Sequence, residues 1–152
     1  MGADPPSYCL DTSAWLDGWK RYYPIETFPS VWDRVESLVE AGRIFWAEEV
    51  ALEILDRDLK IWLAPHASAV VETAIIWESA QVIQRRFNAD LHVKGIYGAD
   101  SFVIASAQFR SLVVVTGEKS STGRPKIPDV CDQISIQHLS FLKMLQQEGW
   151  RF

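Results

Sequence analysis

Four consecutive apolar residues, Leu112-Val113-Val114-Val115, constrain this chain more than any other segment. Three of them are β-branched, which suits an extended strand and crowds a helix. No polar residue interrupts the run, so both faces of the strand are expected to be buried, as in a parallel sheet covered by helices. The run ends at Thr116-Gly117-Glu118, which sets polar residues, one of them acidic, just past the strand's carboxyl end.

The rest of the chain supplies the other layers. Tyr8 to Leu10 reads as a short buried strand ending at Asp11-Thr12-Ser13, followed by a loop rich in Pro and aromatic residues. Ser30 is placed to cap a helix, with Asp33 three residues on in a capping-box arrangement. Val31, Val35, Leu38 and Val39 repeat at helical spacing, and Gly42 ends the helix. Ile44 to Ala47 is a second strand. Glu48 to Arg57 reads as a helix, and a long helical pattern runs from about Ser68 to Phe87. After a break at Gly95 to Gly98, Asp100 opens a small apolar helix, Ser101 to Phe109. A polar loop follows Glu118 as far as Pro128, and Leu139 to Gln147 reads as the last helix, before a tail from Gly149. Strands alternating with helices predict an α/β domain with a central parallel sheet. In such sheets ligands bind at the carboxyl ends of the strands.

Composition excludes several classes. The chain of 152 residues is 48% hydrophobic and 23% charged, in keeping with one globular domain spanning residues 1–152 and not with disorder. No stretch approaches the ~20 apolar residues of a membrane span. Met1 to Ser7 lacks a basic region, so no signal peptide is expected and a cytoplasmic location is the default. Cys9 and Cys131 make neither a disulfide framework nor a zinc site, and Cys9 is expected to be a buried small hydrophobe. The net charge of −5 argues against broad nucleic-acid binding through a basic face. It is compatible with a carboxylate cluster that binds a cation. Lys119, Arg124 and Lys126 are placed to meet phosphates, whereas Arg85 and Arg86 read as solvated surface.

Four carboxylates stand at informative positions. Asp11 and Glu118 follow strands, Asp100 starts a helix, and Glu53 lies beside the apolar face of another helix. Crowded carboxylates repel, so a site built from them takes up protons or a cation. Hard oxygen ligands suit Mg²⁺ or Mn²⁺, which can activate water against a phosphodiester. Each residue also has an ordinary role. Asp11 can begin a turn, Asp100 can be a plain N-cap, Glu53 can be a solvated helix residue like Glu48 and Glu49, and Glu118 can be loop surface. Glu49 rivals Glu53, one helical turn away. Ser13 and Thr116 are candidates to orient carboxylates or water through their hydroxyls. Trp15, Trp19, Tyr22 and Tyr23 can stack bases or fill the core. Trp32, Trp62 and Trp77 are expected to pack, and His66, His92 and His138 form no motif.

In order and spacing these residues resemble the PIN-domain superfamily, in particular its prokaryotic VapC-like toxins. Tyr8 to Trp15 resembles the family's first strand and first metal-binding Asp, at Asp11. Val50 to Ile54, with Glu53, is similar to the second motif, a helix bearing an acidic residue. Ala99-Asp100-Ser101-Phe102-Val103-Ile104-Ala105 is similar to the third, and Val113 to Glu118 to the last. Tyr22-Tyr23-Pro24, Phe28-Pro29, Trp32, Asp58-Leu59, Trp62 and Lys126 to Cys131 fit the same subgroup. The resemblance runs from Tyr8 to the C-terminus. It implies a three-layer α/β/α fold and Mg²⁺ or Mn²⁺ held by Asp11, Glu53, Asp100 and Glu118. It further implies cleavage of single-stranded or structured RNA, leaving a 5′-phosphate and a 3′-hydroxyl, a neutralising antitoxin partner and a homodimer. One position departs: many PIN proteins carry Asp where this chain has Glu118, and the longer side chain shifts the geometry.

Two other readings use the same residues. A phosphatase of the haloacid-dehalogenase type needs a second Asp two residues after the first, where Ser13 stands, and a receiver domain needs a phosphoacceptor Asp on a central strand. A domain that binds RNA or protein without cleaving keeps the fold and forgoes turnover.

Overall fold

A computed structural model describes residues 4–87 and 98–152. Among the described residues five short strands form one parallel sheet. They are β1 (Tyr8–Leu10), β2 (Ile44–Ala47), β3 (Val70–Val71), β4 (Val113–Val115) and β5 (His138–Leu139), in the order β3-β2-β1-β4-β5. The chain steps outward from β1 to β2 and β3, then returns to the other side of β1 for β4 and β5. Strand order therefore reverses between β1 and β4, where the sheet opens a crevice at its carboxyl edge. Tyr8, Cys9 and Leu10 face Val113, Val114 and Val115 across that seam, and all six are buried.

Among the described residues the helices are α1 (Thr12–Leu16), α2 (Pro29–Glu40), α3 (Glu48–Glu53), α4 (Arg57–Leu63), α5 (Thr73–Phe87), α6 (Asp100–Arg110), α7 (Ile127–Gln133) and α8 (Phe141–Gln147). They cover both faces of the sheet, giving the three-layer α/β/α arrangement. Alternation along β1 divides the faces. Cys9 points to α6, its thiol 3.8 Å from the Val103 carbonyl. Tyr8 points the other way and donates its hydroxyl to Glu148 at 2.5 Å. Arg43, just before β2, also binds Glu148 at 2.7 Å and reaches the Pro6 carbonyl. The end of α8 is thus tied to the start of β1. Both thiols are buried, and desolvation pushes that of Cys131 up to about 12, so neither is a ready nucleophile.

On the Tyr8 side the core is built around Trp15, Trp19, Trp32, Trp46 and Trp62. Trp15 meets Trp46 edge to face at 5.3 Å, Trp19 meets Trp32 at 4.8 Å, and Trp32 meets Trp62 at 5.5 Å. The Trp32 indole N–H donates to the Tyr23 carbonyl at 2.7 Å, while the buried Trp15 N–H has no acceptor among the described residues. Trp15 and Trp19 are thus core residues, not base-stacking platforms.

Several boundaries differ from the sequence reading. Helix α2 starts at Pro29 with Phe28 at the cap position, so Ser30 lies inside the first turn and makes no capping box. Pro29 explains the shift: its fixed φ and missing N–H suit a helix's first position. The helix from Glu48 stops at Glu53 because Ile54 is extended, and Asp56 caps a new helix by accepting the Leu59 N–H. The pattern from Ser68 contains β3 before α5 begins at Thr73. Leu139 belongs to β5, and Ser140 caps α8. The loop read as running to Pro128 ends at Lys126, since α7 begins at Ile127 with Pro128 in its first turn. Trp77 is 52% exposed and lies against Phe102 rather than in the core. Gly95 and His92 lie outside the described residues. No helix among the described residues is long and apolar enough to cross a membrane.

A candidate active-site cleft

The carboxyl edge of the sheet holds a cleft of about 310 Å³ lined by Asp11, Glu53, Asp100 and Glu118. Four separate segments deliver these carboxylates to it. Asp11 follows β1 and caps α1. Glu53 ends α3. Asp100 opens α6, directly after Ala99 at the cap position. Glu118 follows β4. Asp100 is therefore not the N-cap itself but an acidic residue in the first helical turn, where the helix dipole favours a negative charge.

Asp11 is the fixed member. It is 4% exposed, and its side chain is hydrogen-bonded from the start of α1 and from the end of β4. Its Oδ1 accepts the Ala14 N–H at 2.7 Å and its Oδ2 accepts the Thr116 hydroxyl at 2.5 Å. The Ser13 hydroxyl lies 2.8 and 2.9 Å from the two oxygens. The same hydroxyl oxygens fasten the β4 loop, since Ser13 accepts the Gly117 N–H and Thr116 accepts the Glu118 N–H. Burial pushes the Asp11 carboxyl up to about 6. Its hydrogen bonds to Thr116, Ala14 and Ser13 pull the other way, and the Glu118 charge adds to the rise.

The two glutamates are held more lightly. Glu53 is exposed; its Oε2 accepts the Thr12 hydroxyl at 2.6 Å, and its Oε1 lies 3.4 Å from the Ala99 N–H. Gly98 lies close under it. A Cβ there would come within 2.4 Å of Glu53 Oε1, and the residue's φ of +51° is one that L side chains rarely adopt. Glu118 turns its Oε2 to the Ile127 N–H at the start of α7, at 3.0 Å. Glu49, the rival of Glu53, points elsewhere. Its Oε1 accepts the Thr73 hydroxyl, and its Oε2 is buried without a partner among the described residues, so it is neither in the cleft nor a solvated helix residue.

The structure adds residues that sequence reasoning missed. Asp17 stands four residues after Ser13 on the same helical face and overhangs Gly117, where a Cβ would meet its carboxylate at 2.1 Å. It pairs with Arg21 at 3.3 Å. The signal was the i, i+4 spacing, hidden because the segment after Ser13 reads as a loop. Thr12 was passed over in favour of Ser13, although it orients Glu53. Arg124 lines the cleft with the carboxylates, while Lys119 and Lys126 border a neighbouring hollow. Arg85 and Arg86 are exposed at the far end of α5.

Carboxylate oxygens facing a cleft with room for water suit a hard divalent ion by chemistry. Among the described residues, no three of Asp, Glu, His and Cys stand close enough to share an ion. In this arrangement Glu53 and Glu118 bond to N–H and hydroxyl groups of the protein.

The family described as Domain of unknown function (DUF4411) has a model that matches residues 8–152, and the chain belongs to that family. A comparison with curated proteins finds no match.

Proposed function

We propose that the cleft is the active site of a metal-dependent endoribonuclease that uses Mg²⁺ or Mn²⁺. One observation carries the reading: carboxylates from four separate segments line a single cleft at the point where strand order reverses. The resemblance of the same residues, in order, to PIN-domain motifs supports it. Asp11, Glu53 and Asp100 would hold the ion, with Glu118 completing its surroundings. When bound, the ion supplies an activated water and positive charge against the phosphate.

The chain's own residues prepare the site. Ser13, Thr116 and the Ala14 N–H aim Asp11 and prevent it from turning. Thr12 restrains Glu53. Lys119, Arg124 and Lys126 stand beside the acidic groups and offset their repulsion of a polyanion. The reading extends, through the resemblance, to a toxin held by a protein antitoxin and to a homodimer.

The test is RNA cleavage by purified wild type and Asp11→Asn with Mg²⁺, Mn²⁺ or chelator, both proteins first verified as folded. Cleavage should require the ion and fall at least a hundredfold in the variant. Full activity of a folded Asp11→Asn protein would end this assignment. A second reading, a domain that binds RNA or protein with little or no turnover, draws on the spacing of the carboxylates and on the bond from Ile127 to Glu118. Ion binding without cleavage on varied RNAs would favour it.

A further inference from the structure

A second hollow, of about 430 Å³, adjoins the carboxylate cleft and shares Glu118 with it. That volume lies within the ~300–1,000 Å³ of small-molecule sites. Its walls are aromatic. The Tyr23 ring lies 5.9 Å from that of Phe141, inclined at 32°, and Tyr22 stands at the mouth, 56% exposed. Phe141 forms a fixed floor, 2% exposed and wedged between Gly18, where a Cβ would come within 2.8 Å of its ring, and Trp32. Polar groups line it as well: Asp17, Thr116, Glu118, Lys119, His138 and Ser140. From Gly117 and Glu118 a third, shallower hollow runs along the 117–126 loop, past Lys119 and Lys126.

We propose that the aromatic hollow receives one unpaired base of single-stranded RNA beside the phosphate to be cleaved, with the next phosphates along the lysine-bearing loop. This rests on reading the cleft as a ribonuclease site. Three chemistries meet at Gly117-Glu118: carboxylates, an aromatic wall and cations. A nucleotide needs the last two within its own length, whereas an apolar peptide side chain has no use for Lys119 and Lys126. Tyr22 is 56% exposed at the mouth, with the Arg21 guanidinium 6.0 Å from its ring centroid and the Tyr23 ring 6.4 Å away, and stacking on its exposed part accepts any base. A base inside the hollow is out of its stack, so the site selects against duplex RNA.

The experiment is equilibrium binding of labelled RNA hexamers, in chelator and in Ca²⁺. It compares intact strands, strands with one abasic position and duplexes, on wild type, Tyr22→Ala, Tyr22→Phe and Lys119→Ala. Tyr22 is exposed, so its variants should fold, which circular dichroism checks. Tyr22→Ala should weaken binding roughly five- to a hundredfold, and Tyr22→Phe should retain it. Removing one particular base should weaken wild type by a similar factor and leave Tyr22→Ala unchanged. Lys119→Ala should flatten the salt dependence. Binding that ignores Tyr22 and every abasic position overturns the base site alone and leaves the ribonuclease reading intact. Failure to bind any strand in either medium overturns both.

Discussion

One short segment, Thr12 to Tyr22, serves two regions built on opposite terms. On one side Trp15 and Trp19 enter the tryptophan core, where each ring touches several others. On the other side Ser13 lines the carboxylate cleft and serves Asp11, while Asp17 lines the hollows beside it and pairs with Arg21. The apolar side is redundant and gains stability from burial. The polar side collects like charges, one of them almost wholly buried, and works against the fold. A rigid wall of indoles can hold a strained acidic edge in place, which is how folded proteins maintain sites that oppose their own stability.

The strongest way to break this comparison is Trp32→Ala. It removes the ring shared by Trp15, Trp19, Trp62 and Phe141 together with the bond to the Tyr23 carbonyl. A loss of about 3–5 kcal/mol in urea unfolding is expected; a loss below about 1 kcal/mol would mean that this face does not support the other. Asp11→Asn sharpens the contrast from the other side. Asn keeps the cap and removes the buried charge. In chelator at pH 7 the variant should be more stable than wild type by on the order of 1–3 kcal/mol. The sign follows from a carboxyl whose pKa is about 6 in the fold and 3.8 when free. The native state holds the proton more tightly, so wild type loses stability as pH rises from about 4 to 6, and the loss is complete above 6. The gap between the two melting curves should widen over that range and close near pH 4. Smallest is Gly98→Ala, about 1 kcal/mol from the left-handed backbone. Its added methyl should also displace Glu53, so cleavage should fall more than stability.

What the sequence reveals follows the physics of each element. β1, β2 and β4 are legible because burial on both faces leaves apolar runs. β3 and β5 are two residues long and owe their existence to the hydrogen bonds of β2 and β4, which no local pattern encodes. The break at Ile54 and the start of α7 at Ile127 depend on Asp56 and on a proline placed just inside a helix, cues that also read as loop. Asp11, Asp100 and Glu118 are legible as candidates from their places at strand ends and at a helix start. Choosing Glu53 over Glu49 is not, because both lie along α3 and only the packing of Thr73 against Glu49 separates them. Asp17 was missed because a helix followed by a wider π-helical turn carries it, where aromatic and proline content suggested a loop.

The seam between β1 and β4 also fixes a schedule. Asp11 and the Thr116 hydroxyl that holds it are 105 residues apart. A ribosome releasing this chain from its N-terminus completes β1 and β2 early. It then extends the nascent polypeptide through α6 before β4 exists to close the sheet. For most of synthesis the central strand waits with one bare edge, and contacts of this range are slow to form. The four carboxylates meet only after residue 118 has emerged, so a translation product cut short before that point carries no assembled cleft, whatever chemistry the finished one performs.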